Sequence, residues 1–182
     1  MRLTHWPRKK SPLLVVFLGL IIMPLVSNGT DTKGMGELIL HKKPRLIPQI
    51  PFLDLDGNSV IAEDFIGSTL VINFWATWCA PCIEEMPTLE ALQLDVEGKN
   101  IKIIPISQDR TGNAAVRSFI EKNFWNNLSF FISQDNSLVK ALNIRGLPTT
   151  IILGTDGKEI GRLEGITDWA SNDIKEFLLR VK

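Results

Sequence analysis

The only two cysteines of this 182-residue chain lie three residues apart in the segment NFWATWCAPCIEEMP, residues 73–87. A disulfide between Cys79 and Cys82 would close a loop of about four residues. Such a loop removes roughly 2 kcal/mol of unfolded-state entropy, against ~4.7 kcal/mol for a hundred-residue loop. A structural zinc site needs about four ligands, and the two histidines, His5 and His41, lie far from the pair. Thiol redox chemistry is therefore the favoured interpretation, with a structural disulfide and a metal site as weaker alternatives.

The elements around the pair predict different roles for the two thiols. Residues 68–76 are a continuous apolar run, typical of a strand buried on both faces, and residues 80–97 have helical apolar spacing. Cys79 thus lies at a helix N-terminus, where about half a positive charge favours the thiolate. We expect Cys79 to be the exposed, attacking thiol. Cys82, one turn further along, is expected to be more buried and to act as the resolving thiol.

The remaining pattern predicts an α/β fold. Two short strands around Asp56-Gly57, within residues 46–64, indicate a hairpin. We expect further strands at 101–107, 128–133, 149–154 and 158–165, and helices at 113–124, 137–144 and 168–182. This alternation predicts a mixed central sheet covered by helices on both faces.

The first thirty residues are expected to be a targeting segment. They are basic at the start and then contain a 14-residue uncharged apolar run, residues 13–26. This favours a signal peptide or an N-terminal anchor over a buried core helix. We predict a periplasmic or other cell-envelope location, with anchoring to the inner membrane by residues 11–30. Residues 31–45 then form a linker, and residues 46–182 form the domain.

The charge of the remaining chain argues against a nucleic-acid partner. Residues 31–182 contain 16 basic and 20 acidic residues, a net charge of −4. A nucleic-acid-binding protein of this size is expected to be basic.

Three motifs resemble those of the thioredoxin superfamily: WCAPC after an apolar strand, Pro87 five residues beyond the second cysteine, and GLPT at residues 146–149. The resemblance implies that Pro148 is cis and lies beside the disulfide, although the sequence alone favours a trans turn proline. It also implies that the backbone of Leu147 pairs with an extended substrate chain. Trp78 and Pro81 are expected to belong to the same docking surface, whereas Trp75 is expected in the core.

The run LVINFWATWCAPCIEEMP, residues 70–87, is similar to the membrane-anchored, extracytoplasmic TlpA/ResA-type reductases. That branch implies a hairpin before the core and an inserted βα unit at about residues 110–133. It places Asn73 where ordinary thioredoxins have a proton-accepting Asp. It also implies a functional Glu85 near the active-site mouth, whose charge raises or buffers thiol pKa values. The alternative is that Glu85 is only a first-turn acid favoured by the helix dipole.

Residue chemistry and resemblance together predict a protein-disulfide reductase. Ala80 and Pro81 bring no charge between the cysteines, so the thiolate is weakly stabilised and the disulfide is hard to reduce. We expect no cofactor or metal beyond the redox-active disulfide Cys79–Cys82.

The resemblance implies specific partners as well. These are a membrane thiol-transfer protein as electron donor, and apocytochrome c or copper-site proteins among the disulfide-containing targets.

Rival functions are a disulfide oxidase or isomerase, and a non-enzymatic chaperone or metallochaperone. A peroxidase is disfavoured because Thr77 lies two residues before Cys79, not the three found in the peroxide-reducing branch.

Overall fold

The computed structural model describes residues 37–133 and 135–181. In this part of the chain, eight strands form one sheet: β1 Glu37–Arg45, β2 Phe52–Asp54, β3 Ser59–Val60, β4 Thr69–Trp75, β5 Ile101–Ser107, β6 Phe131–Ile132, β7 Thr149–Leu153 and β8 Glu159–Glu164. The helices are α1 Ala80–Asp95, α2 Asn113–Lys122, α3 Ser137–Ala141 and α4 Asn172–Arg180, with a 3-10 helix at Ala62–Phe65. The strand order is β1-β8-β7-β4-β5-β6-β2-β3.

The centre of the sheet is the pair β4 and β5, which run parallel, while β7 lies antiparallel on the other side of β4. All seven residues of β4 are buried, because successive side chains point to opposite faces and both faces are covered. Val71 packs with side chains from α1, α2 and α4. Its neighbour Ile72 packs with side chains from α3 and the 3-10 helix. The predicted mixed sheet with helices on both faces is confirmed.

The two predicted additions to the core are also present. β2 and β3 form an antiparallel hairpin, and the Asp54 carboxylate closes its turn by accepting the backbone N–H groups of Asp56 and Asn58. The inserted unit contains α2 and β6, and β6 pairs with both β5 and β2. β6 spans two residues, fewer than the strand expected at residues 128–133.

The predicted linker at residues 31–45 is wrong for residues 37–45. These nine residues form β1, which pairs antiparallel with β8 at the edge of the sheet. The glycine- and lysine-rich composition of residues 31–45 favours a linker, and a strand is not evident from it. Lysine and proline are tolerated on an edge strand, where one row of backbone groups faces away from the sheet.

A buried ionic cluster joins β1 to β8. Nε2 of His41 lies 2.8 Å from Oε1 of Glu159, and Nε and Nη2 of Arg162 donate to the two oxygens of the same carboxylate at 2.7 and 2.9 Å. Burial alone would raise the pKa of Glu159, but hydrogen bonds from Arg162 and His41 outweigh it and lower the pKa. The carboxylate is therefore held in its charged form.

The predicted signal peptide or anchor, residues 1–30, lies outside the described residues. Within the described residues, no helix has both the length and the apolar character needed to cross a membrane.

Candidate active site

The two cysteines form a disulfide at the junction of β4 and α1. Cys79 is the N-cap residue of α1, and its sulfur lies 2.03 Å from that of Cys82, with the two Cα atoms 5.3 Å apart. The N-cap position follows from the sequence, because Pro81 suits the first turn of a helix, where no backbone N–H is needed. The two cysteines are therefore bonded to each other within the first turn of α1.

The burial of the two cysteines corrects one expectation. Cys82 is fully buried, and Cys79 is only 5% exposed. The predicted order of exposure is confirmed, but Cys79 is not an exposed residue in this disulfide form. Its remaining accessible surface lines a groove with a volume of about 860 Å³, so an approaching partner would reach it through that groove.

The groove brings together the residues predicted for docking. Trp78, Pro81 and Leu147 all line it beside Cys79. Trp78 is 70% exposed, so its side chain is accessible to solvent beside Cys79. Trp75 is fully buried, as expected for a core residue.

Sheet topology brings the segment before β7 to the same end of the sheet as Cys79. The peptide bond between Leu147 and Pro148 is cis, as the resemblance implied. Pro148 directly precedes β7, and the first residue of β7, Thr149, pairs with Phe74 near the end of β4. The start of β7 and the end of β4 are thus neighbours, and Leu147 lies in the groove that Cys79 lines.

Glu85 is not at the mouth of the site. It is 1% exposed and accepts hydrogen bonds from Nδ2 of Asn73 at 2.8 Å and from the backbone N–H of Thr167 at 3.0 Å. It points inward from the buried side of α1, so it is also not a solvated first-turn acid. Burial raises the pKa of Glu85 to about 7, although the hydrogen bonds from Asn73 and Thr167 oppose this shift.

Asp109 is a residue that the sequence analysis missed. It is buried and accepts hydrogen bonds from the backbone N–H of Thr77 at 2.9 Å, the Thr77 hydroxyl at 2.7 Å and the Ser107 hydroxyl at 2.7 Å. Thr77 lies two residues before Cys79, so these bonds fasten the loop that carries the cysteine to the end of β5. The polar residues after β5 were a usable signal, because the carboxyl ends of parallel strands lie at one edge of a sheet.

The fold and the cysteine pair together define a thioredoxin-like thiol-disulfide oxidoreductase. The sequence pattern of the Redoxin family matches residues 42–176, and the chain belongs to this family. The comparisons also support protein-disulfide reductase activity and disulfide-containing proteins as substrates.

Curated relatives agree with this assignment. The thiol-disulfide oxidoreductase ResA of Bacillus thuringiensis subsp. konkukian is 30% identical over 134 residues, which are 74% of this chain and 75% of that protein. ResA of Halalkalibacterium halodurans is 34% identical over 129 residues, 69% of this chain and 70% of the relative. The expected TlpA/ResA type is confirmed.

Solved structures show the same fold. A thiol:disulfide interchange protein from Bacteroides sp. is 26% identical and has a TM-score of 0.64, with 77% of this chain and 92% of that chain covered. StoA from Bacillus subtilis is 20% identical, with a TM-score of 0.60 over 71% of this chain and 98% of the other, and it supports the fold alone.

Proposed function

We propose that this protein reduces disulfides in partner proteins outside the cytoplasm, with Cys79 as the nucleophile. The observation that carries the proposal is the arrangement of the two sulfurs. Cys79 is the N-cap residue of a helix and lines a groove, whereas Cys82 is fully buried and bonded to it. Such an arrangement lets the Cys79 sulfur react with a partner disulfide while the Cys82 sulfur remains in position to resolve the mixed disulfide.

The reaction needs two exchange steps. In the reduced protein, the Cys79 thiolate attacks one sulfur of the partner disulfide, and the other partner sulfur leaves as a thiolate that takes up a proton. Cys82 then loses its proton and attacks the Cys79 sulfur of the mixed disulfide. The partner leaves as a dithiol and the Cys79–Cys82 disulfide forms, so two electrons pass from the protein to the partner.

Glu85 is proposed to influence the second step. It lies three residues after Cys82 on α1, which puts the two side chains on the same helix face. A carboxyl group with a pKa of about 7 changes charge in the pH range where thiols are used. When ionised, it disfavours a second negative charge on Cys82. When protonated, it removes that repulsion.

The groove residues are proposed to hold the partner chain. Leu147 precedes cis Pro148 and lines the groove together with Cys79, and an extended partner segment would pair with its backbone as a strand does. Trp78 and Pro81 form the apolar wall next to the nucleophile.

The direction of electron flow is proposed from the residues between the cysteines. Ala80 and Pro81 contribute no charge, so the thiolate gains little beyond the helix N-terminus and the disulfide is favoured. The test is equilibration with glutathione. Full reduction by a mildly reducing glutathione mixture would contradict the proposal, and resistance to it would support the proposal.

The setting of the reaction is proposed from the resemblance to TlpA/ResA-type reductases. In this proposal, residues 11–30 hold the protein at the inner membrane, a membrane thiol-transfer protein supplies the electrons, and the targets are apocytochrome c or copper-site proteins. The Cys79–Cys82 pair carries the two electrons in its dithiol form, without a separate cofactor.

Trapping tests the function and its targets together. A Cys82→Ala variant should accumulate a mixed disulfide on Cys79, which is released by reductant and identified by mass spectrometry. The matched control is the double variant Cys79→Ala/Cys82→Ala, which should trap nothing. Efficient refolding of scrambled ribonuclease together with poor reduction of insulin would instead favour an oxidase or isomerase.

A further inference from the structure

Three basic side chains surround the groove that Cys79 lines. Arg110, Lys140 and Arg145 are exposed and line the groove. They come from separate segments, namely the loop after β5, helix α3 and the loop before the cis proline. Among the described residues, none of the three forms a salt bridge.

Acidic residues do not balance these charges. Asp109 lines the groove, but it is buried and both of its oxygens already accept hydrogen bonds. Asp135 does not line the groove. Its pKa is lowered first by hydrogen bonds from Ser137 and last by the nearby charge of Lys140, so it offsets Lys140 in part. The groove therefore faces its partner with a net positive charge, although residues 31–182 as a whole are acidic.

The surface between the basic side chains is apolar. Trp78, Val139, Ile144 and Leu147 contribute to it. The three cations are therefore separated by apolar surface, and the residues that line the groove include no buried basic cluster that would enclose a small anion. Such a surface is complementary to a polypeptide segment with both acidic and apolar side chains. Charge complementarity of this kind increases the association rate and selects among partners.

We infer that the groove selects disulfide-containing polypeptide segments that carry Asp or Glu close to the reactive cysteine. The inference rests on the proposed function, since it names the substrate class of the same site. The cations increase the rate at which the segment associates with the groove and orient it there, while the exchange steps at the sulfurs are unchanged. The preference should weaken with salt, because the three side chains are exposed to solvent.

The test uses three disulfide-containing peptides that are identical except for two residues beside one cysteine, which are both Glu, both Gln or both Lys. The rate constant for reduction of each peptide by the reduced protein is measured at low and high ionic strength. We expect the Glu peptide to react about tenfold faster than the Lys peptide at low salt, with the Gln peptide between them, and the spread to shrink at high salt.

Charge-reversal variants make the test independent of folding losses. R110E/K140E/R145E should invert the order, so that the Lys peptide reacts fastest, a gain that a misfolded protein cannot produce. The matched control is K99E/K102E/K122E, which changes three exposed lysines that do not line the groove. It should keep the order of the unmodified protein.

Each outcome separates this inference from the proposed function. Equal rates for the three peptides, or an inverted order in the control variant as well, overturn the inference and leave the reductase function intact. Failure of the unmodified protein to reduce any peptide or insulin overturns the proposed function itself. Faster, groove-dependent reduction of glutathione disulfide than of the Glu peptide would assign the groove to a small acidic disulfide and also overturn the inference.

Discussion

The pKa values of two buried carboxylates of this protein are shifted in opposite directions. Glu85 is 1% exposed and Glu159 is 3% exposed, yet burial raises the pKa of Glu85 to about 7 while the hydrogen bonds and charges around Glu159 lower its pKa. The difference lies in the partners. Glu85 meets an amide and a backbone N–H, whereas Glu159 meets a guanidinium and an imidazole.

The comparison shows that burial alone does not fix the charge of a carboxyl group. Neutral donors leave Glu85 able to gain or lose a proton near neutral pH, one helical turn from Cys82. Hydrogen bonds from the Arg162 guanidinium and from His41 keep Glu159 ionised, and the contact with His41 fastens β1 to β8. We therefore expect changes at Glu85 to alter the pH dependence of the reaction, and changes at Glu159 to alter stability.

The largest effect is expected from removal of the Cys79 sulfur, which is the proposed nucleophile. Cys79→Ser should reduce insulin reduction to the uncatalysed background, because a hydroxyl does not form the mixed disulfide. Circular dichroism should show an unchanged fold. A variant that still supported the cellular role in full would favour a non-enzymatic chaperone instead.

The next largest effect is on stability. Glu159→Ala should lower the free energy of unfolding by about 3–5 kcal/mol, because it leaves the largely covered Arg162, whose side chain is 11% exposed, without its carboxylate. Urea unfolding measures this change. Asp156→Ala, which breaks the exposed pair with Lys158, is the matched control and should cost less than about 1 kcal/mol.

The same residue predicts sensitivity to acid. Since the folded pKa of Glu159 lies below its ordinary value of 4.5, its stabilising contribution is present above that value and is lost as the pH falls through the folded pKa. Unfolding curves recorded at decreasing pH should therefore converge for the unmodified protein and Glu159→Gln. Curves that stay parallel would show that Glu159 is not held ionised.

Glu85 should show the opposite pH dependence. Its folded pKa of about 7 lies above the ordinary 4.5, so ionisation opposes folding as the pH rises from the lower value to the higher. Relative to Glu85→Gln, the unmodified protein should lose about 3 kcal/mol of stability over that range and nothing further above it.

The reductase rate provides a second readout for Glu85. The rate of the unmodified protein should show an inflection near pH 7 that Glu85→Gln lacks, because the amide of Gln does not ionise whereas the carboxyl group of Glu85 does. Glu84→Gln is the control, since Glu84 is exposed on the same helix. Identical pH profiles for all three proteins would leave Glu85 without a role in exchange.

The smallest effect is expected at the loop before the nucleophile. Thr77→Val removes the hydroxyl that donates to Asp109 but keeps the backbone hydrogen bond. The free energy of unfolding should fall by about 1 kcal/mol, with a modest decrease in the rate of insulin reduction. Thr111→Val, an exposed position nearby, should change neither the urea midpoint nor the rate.

Features encoded by neighbouring residues were predictable from the sequence. The apolar run of β4, the helix after Cys79 and the turn at Asp56-Gly57 each depend on local patterns, and each is present. The cis bond before Pro148 was not predictable from composition, because most bonds before proline are trans. Only the family resemblance indicated it.

Features that depend on contacts distant in sequence were missed or misplaced. β1 looked like a linker because its strand character depends on pairing with β8. Asp109 meets Thr77 across 32 residues, through the parallel register of β4 and β5. The inward position of Glu85 depends on which face of α1 meets the sheet. Glu84 and Glu85 are adjacent and identical in type, so residue type alone does not show which of the two is buried.

The pairing of β4 with β7 separates the framework that supports the chemistry from the loops that border the groove. Cys79 follows one of these strands and Pro148 precedes the other, so the framework that aligns an incoming chain with the sulfur consists of hydrogen-bonded main chain. The side chains that border the entrance, such as Arg110 and Arg145, stand on loops outside that framework. Exchanging those loops with ones from a related protein should therefore redirect the choice of client and leave the electron-transfer chemistry in place.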